Sequence, residues 1–188
     1  MSSKLEILQA LTHSATTPVA MPTINVPARI DDLVGQFANS LATVAGTLHS
    51  QDGMTAIQEQ VAMLTAEGKQ VISLCSEIPG NRDIPTTAHE LQDIDYAILS
   101  GELAVAENGA IWVKQPQGHR VTPFICENLL LVVKANTLVP NMHSAMERIS
   151  LNSGEFGVFI AGPSKTADIE QALVVGAHGA CSLNVYLV

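Results

Sequence analysis

Val158-Phe159-Ile160-Ala161-Gly162-Pro163-Ser164-Lys165-Thr166-Ala167-Asp168-Ile169-Glu170 is the stretch whose reading decides the fold. Val158, Phe159 and Ile160 end an apolar strand. Residues 162–166 form a compact turn, and Ala167-Asp168-Ile169-Glu170 opens a short helix. His178 follows in Gly176-Ala177-His178-Gly179. In open α/β sheets ligands sit outside the carboxyl ends of the strands, and amides at a helix N-terminus can hold an anion. The stretch therefore predicts a pocket for a small carboxylate or phosphate around Gly162, Ser164, Lys165 and Thr166. Gly162 allows close backbone approach, Ser164 and Thr166 bring hydroxyls, and Lys165 adds a mobile positive charge. His178 could join from the next loop. A plainer reading stands beside this one: Ser164 or Thr166 caps a helix and nothing binds, and His178 makes a structural hydrogen bond. Asp168 and Glu170 are two residues apart and share no helix face. They suit a first helical turn, or could orient the lysine or meet a partner's donor.

Outward from that stretch, apolar strands alternate with amphipathic helices, the pattern of a layered α/β domain. Ile30, Leu33, Val34, Phe37, Leu41 and Val44 recur at helical spacing, with Asp31, Asp32 and Gln36 on the outer face and Gly46 as the stop. Thr47-Leu48-His49 enters an edge strand. Met54, Ile57, Val61 and Leu64 give a second buried stripe that Gly68 ends. Short strands follow at residues 71–74 and 96–99, and Leu129-Leu130-Leu131-Val132-Val133 reads as a central one. Residues 142–149 look helical, and residues 183–188 close the chain as a strand. At the other end, residues 1–28 read as a short helical arm and a linker broken by Pro18, Pro22 and Pro27. Residues 29–188 make the single domain.

Leu103-Ala104-Val105-Ala106-Glu107-Asn108-Gly109-Ala110-Ile111-Trp112-Val113 carries the other local signal. Asn-Gly between β-capable runs predicts a tight reversal. Glu107 stands just before it, either presented to a substrate or simply exposed on a hairpin.

The totals narrow the function classes. A chain of 188 residues with 47% hydrophobic content fills one largely aliphatic core. A net charge of −9 argues against nucleic acid or an anionic membrane as partner. Cys75, Cys126 and Cys181 are widely separated and form neither a disulfide framework nor a cluster-binding motif. The six histidines show no metal-ligand spacing, so no metal site is predicted. No apolar run reaches membrane-spanning length, and the expected setting is a reducing cytoplasm. The 162–166 turn lacks the glycine fingerprints of nucleotide loops.

Residues 160–170, taken with Leu173-Val174-Val175-Gly176-Ala177-His178-Gly179 and Leu183-Asn184-Val185-Tyr186-Leu187, resemble the LUD-domain family, and within it the lactate-utilisation protein C branch. The weaker correspondence runs from about Arg29 to Val188. The resemblance implies a three-layer, Rossmann-like open sheet of the type shared by coenzyme A transferases, ribose-5-phosphate isomerases and glucosamine-phosphate deaminases. It implies a role in oxidising L-lactate to pyruvate with iron-sulfur partner proteins. The absence of cluster-binding cysteine spacing fits an accessory component of that process; the cofactor is unknown, and none is expected to be bound independently. Ala104-Val105-Ala106-Glu107-Asn108-Gly109 is similar to the surroundings of the catalytic glutamate in the related transferases, which makes Glu107 the catalytic candidate. Asn108, Arg120, Asp168 and Glu170 are the supporting candidates. The sequence departs from the family at Ala180, where a proline follows the His-Gly pair, and at Asn128, which stands where a histidine is expected. Two other functions remain open: an independent enzyme acting on a phosphorylated or thioester substrate, and a non-catalytic ligand-binding regulator.

Overall fold

The computed structural model describes residues 3–13, 19–24, 26–27, 31–114, 118–166 and 174–188. Helix α1 (Ser3–His13) buries none of its residues. Helix α2 (Leu33–Thr43) leads to strand β1 (Thr47–His49), and helix α3 (Gly53–Ala66) to β2 (Val71–Ser73). A 3₁₀ turn, Ala88–Leu91, precedes β3 (Tyr96–Gly101), β4 (Leu103–Val105) and β5 (Ile111–Lys114). Short helix α4 (Thr122–Ile125) then gives β6 (Asn128–Val133), β7 (Leu138–Val139) and α5 (Met142–Arg148). The chain closes with β8 (Gly157–Ile160), β9 (Lys165–Thr166), β10 (Val174–Val175) and β11 (Ser182–Leu187).

The fold is α/β, with parallel and antiparallel strands flanked by helices in the Rossmann-like manner. Its centre is a parallel sheet in the order β1-β11-β6-β3-β2. Leu129 to Val133 are buried throughout β6, which explains their unbroken apolar run: a central parallel strand is covered on both faces. One face packs under α3, where Ile57, Val61 and Leu64 meet Val71, Ile98, Leu130 and Val132. On the other face, Phe37 and Leu41 of α2 join Ala97, Leu99, Leu131 and Val133. The large ones that are fully buried, such as Phe37, Leu41, Ile57 and Ile98, contribute roughly 1.5–3 kcal/mol each relative to exposure.

A second sheet distinguishes the structure from the single open sheet expected. It has the order β7-β4-β5-β8 and shares the core beneath α2 through Ala104, Ile111 and Val113. The chain passes from one sheet to the other between Gly101 and Leu103. Gly101 permits this crossing, since a Cβ there would lie 2.4 Å from Ile111 Cγ2 and 2.9 Å from Val133 Cγ2. The outer face of the second sheet packs Leu103, Val105, Trp112 and Val139 against Ala145 of α5.

Three expectations change. The first helix begins at Leu33, with Asp32 capping it: Gly35 N donates to Asp32 Oδ1 at 2.8 Å. Val34 is exposed and leaves the apolar stripe, while Ile30 lies outside the described residues. The strand at Val158 to Ile160 pairs antiparallel with β5 in the second sheet. The loop after it is therefore not at a carboxyl end of the parallel sheet. Finally, the turn narrows to Gly162 and Pro163, because Lys165 and Thr166 pair with Val175 and Val174 as β9 and β10. The helix start at residues 167–170, Asp168 and Glu170 among them, lies outside the described residues. So do the domain boundary at residues 28–29 and linker residues 14–18.

Asn128, expected from the resemblance to stand in place of a histidine, has a structural role. It starts β6 in register with Tyr96 and Ser182. Its Nδ2 donates to Asp95 O at 3.3 Å, and Ser182 Oγ donates to its Oδ1 at 2.6 Å. The side chain thus ties three parallel strands together at their amino ends.

Candidate functional site

The reversal expected at Asn108-Gly109 is present. Leu103 and Ala104 pair with Trp112 and Ile111, Val105 N donates to Ala110 O at 2.8 Å, and Gly109 N donates to Val105 O at 3.0 Å. Asn108 Oδ1 closes the turn from inside by accepting Ala110 N at 3.0 Å. Gly109 has φ +71°, and a Cβ there would sit 2.8 Å from Leu41 N. The turn is pressed onto the backbone of α2, and only glycine fits. Ser40 Oγ completes the seat, donating to Ala106 O at 2.7 Å and Glu107 O at 3.2 Å.

Glu107 is exposed, but its carboxylate is fixed. Oε2 accepts the backbone N–H of Met142, the first residue of α5, at 3.0 Å. The acid faces a cleft of about 440 Å³ lined by Gln36, Asn39 and Ser40 of α2 and by Pro140 and Asn141 before α5. Gln36, Asn39 and Ser40 stand at i, i+3 and i+4, one face of the helix. The sequence pattern places Gln36 on an outer face and does not single out Asn39. Their spacing opposite the buried Phe37 and Leu41 was the available signal.

The second candidate group assembles differently. Gly162, Ser164, Lys165 and His178 line one cleft of about 290 Å³, whose floor includes the apolar Leu129, Phe159 and Leu183. Thr166 is not among its lining residues. Gly162 has φ +73°, and a Cβ there would lie 2.0 Å from Val44 O. The close approach it permits is thus to the end of α2. Lys165 Nζ donates to the same Val44 carbonyl, placing a cation where a helix C-terminus favours one. Ser164 is held by its backbone: its N donates to Ala180 O at 2.8 Å, and its O accepts Gly176 N at 2.9 Å. Arg120 stands apart from both groups, donating to Gly154 O at 2.9 Å and lying over the Phe156 ring.

His178 also borders a neighbouring cleft with Asp93, Asp95, Cys126, Glu127 and Cys181. Hydrogen bonding to Arg82 holds the Asp93 carboxyl below its ordinary range. Burial pushes the Cys126 thiol up to about 12, so it is no thiolate nucleophile near neutral pH. The three cysteines are free thiols. Among the described residues, no group of three or more His, Cys, Asp and Glu side chains converges to hold a metal ion. Among the same residues, no helix is long and apolar enough to cross a membrane.

The fold is similar to the crystal structure of a DUF162 family protein from Deinococcus radiodurans. That likeness has a TM-score of 0.63 at 18% identity, covering 86% of this chain and 99% of the other. Sequence relatives include a protein named lactate utilization protein C from Shouchella clausii, 31% identical over 53% of this chain. That alignment spans 46% of the relative, so the match covers about half of its length. A protein of the same name from Deinococcus radiodurans is 26% identical over 99% of this chain and 95% of its own. One from Bacillus pumilus is 34% identical over 45% of this chain and 38% of its own. The model of the LUD domain matches residues 69–188, and the chain belongs to that LUD-domain family.

Proposed function

We propose that this chain is a cytoplasmic accessory protein of L-lactate utilisation, supporting the oxidation of L-lactate to pyruvate beside iron-sulfur partner proteins. The observation that carries this reading is the alignment to a lactate utilization protein C along 99% of the chain. The chemistry of the described residues suits such a role. The cysteines are few and free, and the thiol of Cys126 is held protonated by burial. In this reading, electron transfer falls to the partners. The cleft at Gly162, Ser164, Lys165 and His178 is where a small carboxylate or phosphate would sit, with the Lys165 ammonium and the His178 ring on its wall.

Isolation of the chain from its native cells during growth on L-lactate tests this directly. Iron-sulfur proteins are expected to co-purify, and deletion of the gene is expected to impair growth on L-lactate alone. Recovery of the chain without such partners, together with unimpaired growth of the deletion strain, would remove the proposal.

A second reading rests on one specific observation, the fixed carboxylate of Glu107 at the mouth of a cleft. Here the chain is itself an enzyme, and Glu107 acts as base or nucleophile on a small substrate. Substituting Glu107→Gln would abolish such turnover while leaving an oxygen for the Met142 N–H. An unchanged rate in a folded variant would exclude the role.

A further inference from the structure

We propose that the Glu107 cleft takes a small ligand that presents N–H donors and carries no negative charge, with a primary ammonium group as the best match. This rests on the second reading above, in which the Glu107 cleft is a ligand site. The inference begins with what lines the cleft. Among the described lining residues Glu107 is the only ionisable one, and the others are amide, hydroxyl and apolar. Ser40 is engaged with the carbonyls of Ala106 and Glu107. Glu107 Oε2 is engaged with Met142 N, leaving its Oε1 to accept. The carboxamides of Gln36 and Asn39 lie on the same helix face and make no side-chain hydrogen bond among the described residues.

These acceptors fit a compact cation. A primary ammonium has several donors and no acceptor, and carboxamide and carboxylate oxygens can each take one. A bond from an ammonium to a carboxylate is charge-assisted and stronger than a neutral one. A free carboxylate or phosphate has no such complement here. It would meet Glu107 as a like charge, and no described cation lines the cleft to offset it. The two clefts therefore divide by charge. The one beside Lys165 and His178 suits an anion, and the one at Glu107 suits an amine.

Nuclear magnetic resonance titration of the full chain with ethanolammonium, L-lactate and inorganic phosphate at equal ionic strength tests this. The side-chain NH₂ signals of Gln36 and Asn39 and the carboxyl carbon of Glu107 are the reporters. Ethanolammonium is expected to shift all three, and L-lactate and phosphate none of them. In the Glu107→Gln variant, ethanolammonium should bind about tenfold more weakly or worse, the loss of one charge-assisted bond. The Met142 amide signal reports whether the variant keeps its fold. Shifts of the same signals by L-lactate or phosphate would overturn the charge assignment while leaving the cleft a ligand site. If none of the three compounds moves them, both the proposal and the enzyme reading of Glu107 fall.

Discussion

The Glu107 reversal and the β9–β10 hairpin, with the Gly162 turn that leads into it, both rest on α2, one turn apart, and they are fastened in opposite senses. At the reversal the helix donates: Ser40 Oγ reaches out to the carbonyls of Ala106 and Glu107. At the hairpin the helix accepts: Val44 O receives Lys165 Nζ. The difference follows from where each loop lands. Mid-helix backbone groups already have partners, so only a side chain can hold a neighbouring loop there. The last carbonyls of a helix have no intrahelical donor, so a lysine from outside satisfies one of them. Both contacts need glycine in the left-handed region, Gly109 and Gly162, because the loop backbone lies directly on the helix backbone.

Substitutions rank these two seats. Gly162→Ala is expected to cost the most, about 4 kcal/mol, because its Cβ would sit 2.0 Å from a backbone oxygen as well as at positive φ. Gly109→Ala should cost less, about 2–3 kcal/mol, since its Cβ would meet Leu41 N at 2.8 Å, a milder overlap with backbone than at Gly162. Urea midpoints of the two variants measure the difference, and an inverted order would break the comparison. Ser40→Ala removes the helix-side donor and should cost about 1–2 kcal/mol. It should also speed amide exchange at Gly109, whose bond to Val105 O closes the reversal. Gly154→Ala serves as the reference for backbone strain without crowding. Gly154 has φ +87° and nothing within 4 Å, so about 1 kcal/mol is expected. Lys165→Met should have the smallest effect, about 0.5–1 kcal/mol. That effect should shrink at high salt, because the charge–dipole part of an exposed contact is screened. A larger loss from Lys165→Met than from Ser40→Ala would show that the hairpin, not the reversal, is the more strongly held.

Local signals made one of these regions legible and left the other misread. Asn108-Gly109 between two β-capable runs encodes its own turn, and the structure has it. In sequence, Gly162-Pro163-Ser164-Lys165-Thr166 has the composition of a turn after a strand of the open sheet. Its strand, β8, instead joins β5 in a second, antiparallel arrangement. Four half-buried residues carry no mark of which neighbour they will pair with. Likewise β9 and β10 are two residues each, too short for periodicity to declare them. The roles of Gln36 and Asn39 depended on what would lie opposite the polar face of α2, and residues some seventy positions later supply it.

By itself the sequence determined the elements with strong local causes. These are the apolar run of β6, the stripes of α2 and α3, the glycine stop at Gly68 and the Asn-Gly reversal. Each follows from burial on a repeating face or from a backbone angle that few residues adopt. The family motif near the C-terminus extended this to the Rossmann-like architecture. Only the tertiary structure decided the second sheet, the seating of both loops on α2, the engagement of Lys165 with Val44, and the amide-lined cleft at Glu107. Those depend on which distant atoms meet. A glycine or lysine looks the same in sequence whether the atom it faces belongs to a ligand or to the protein's own helix.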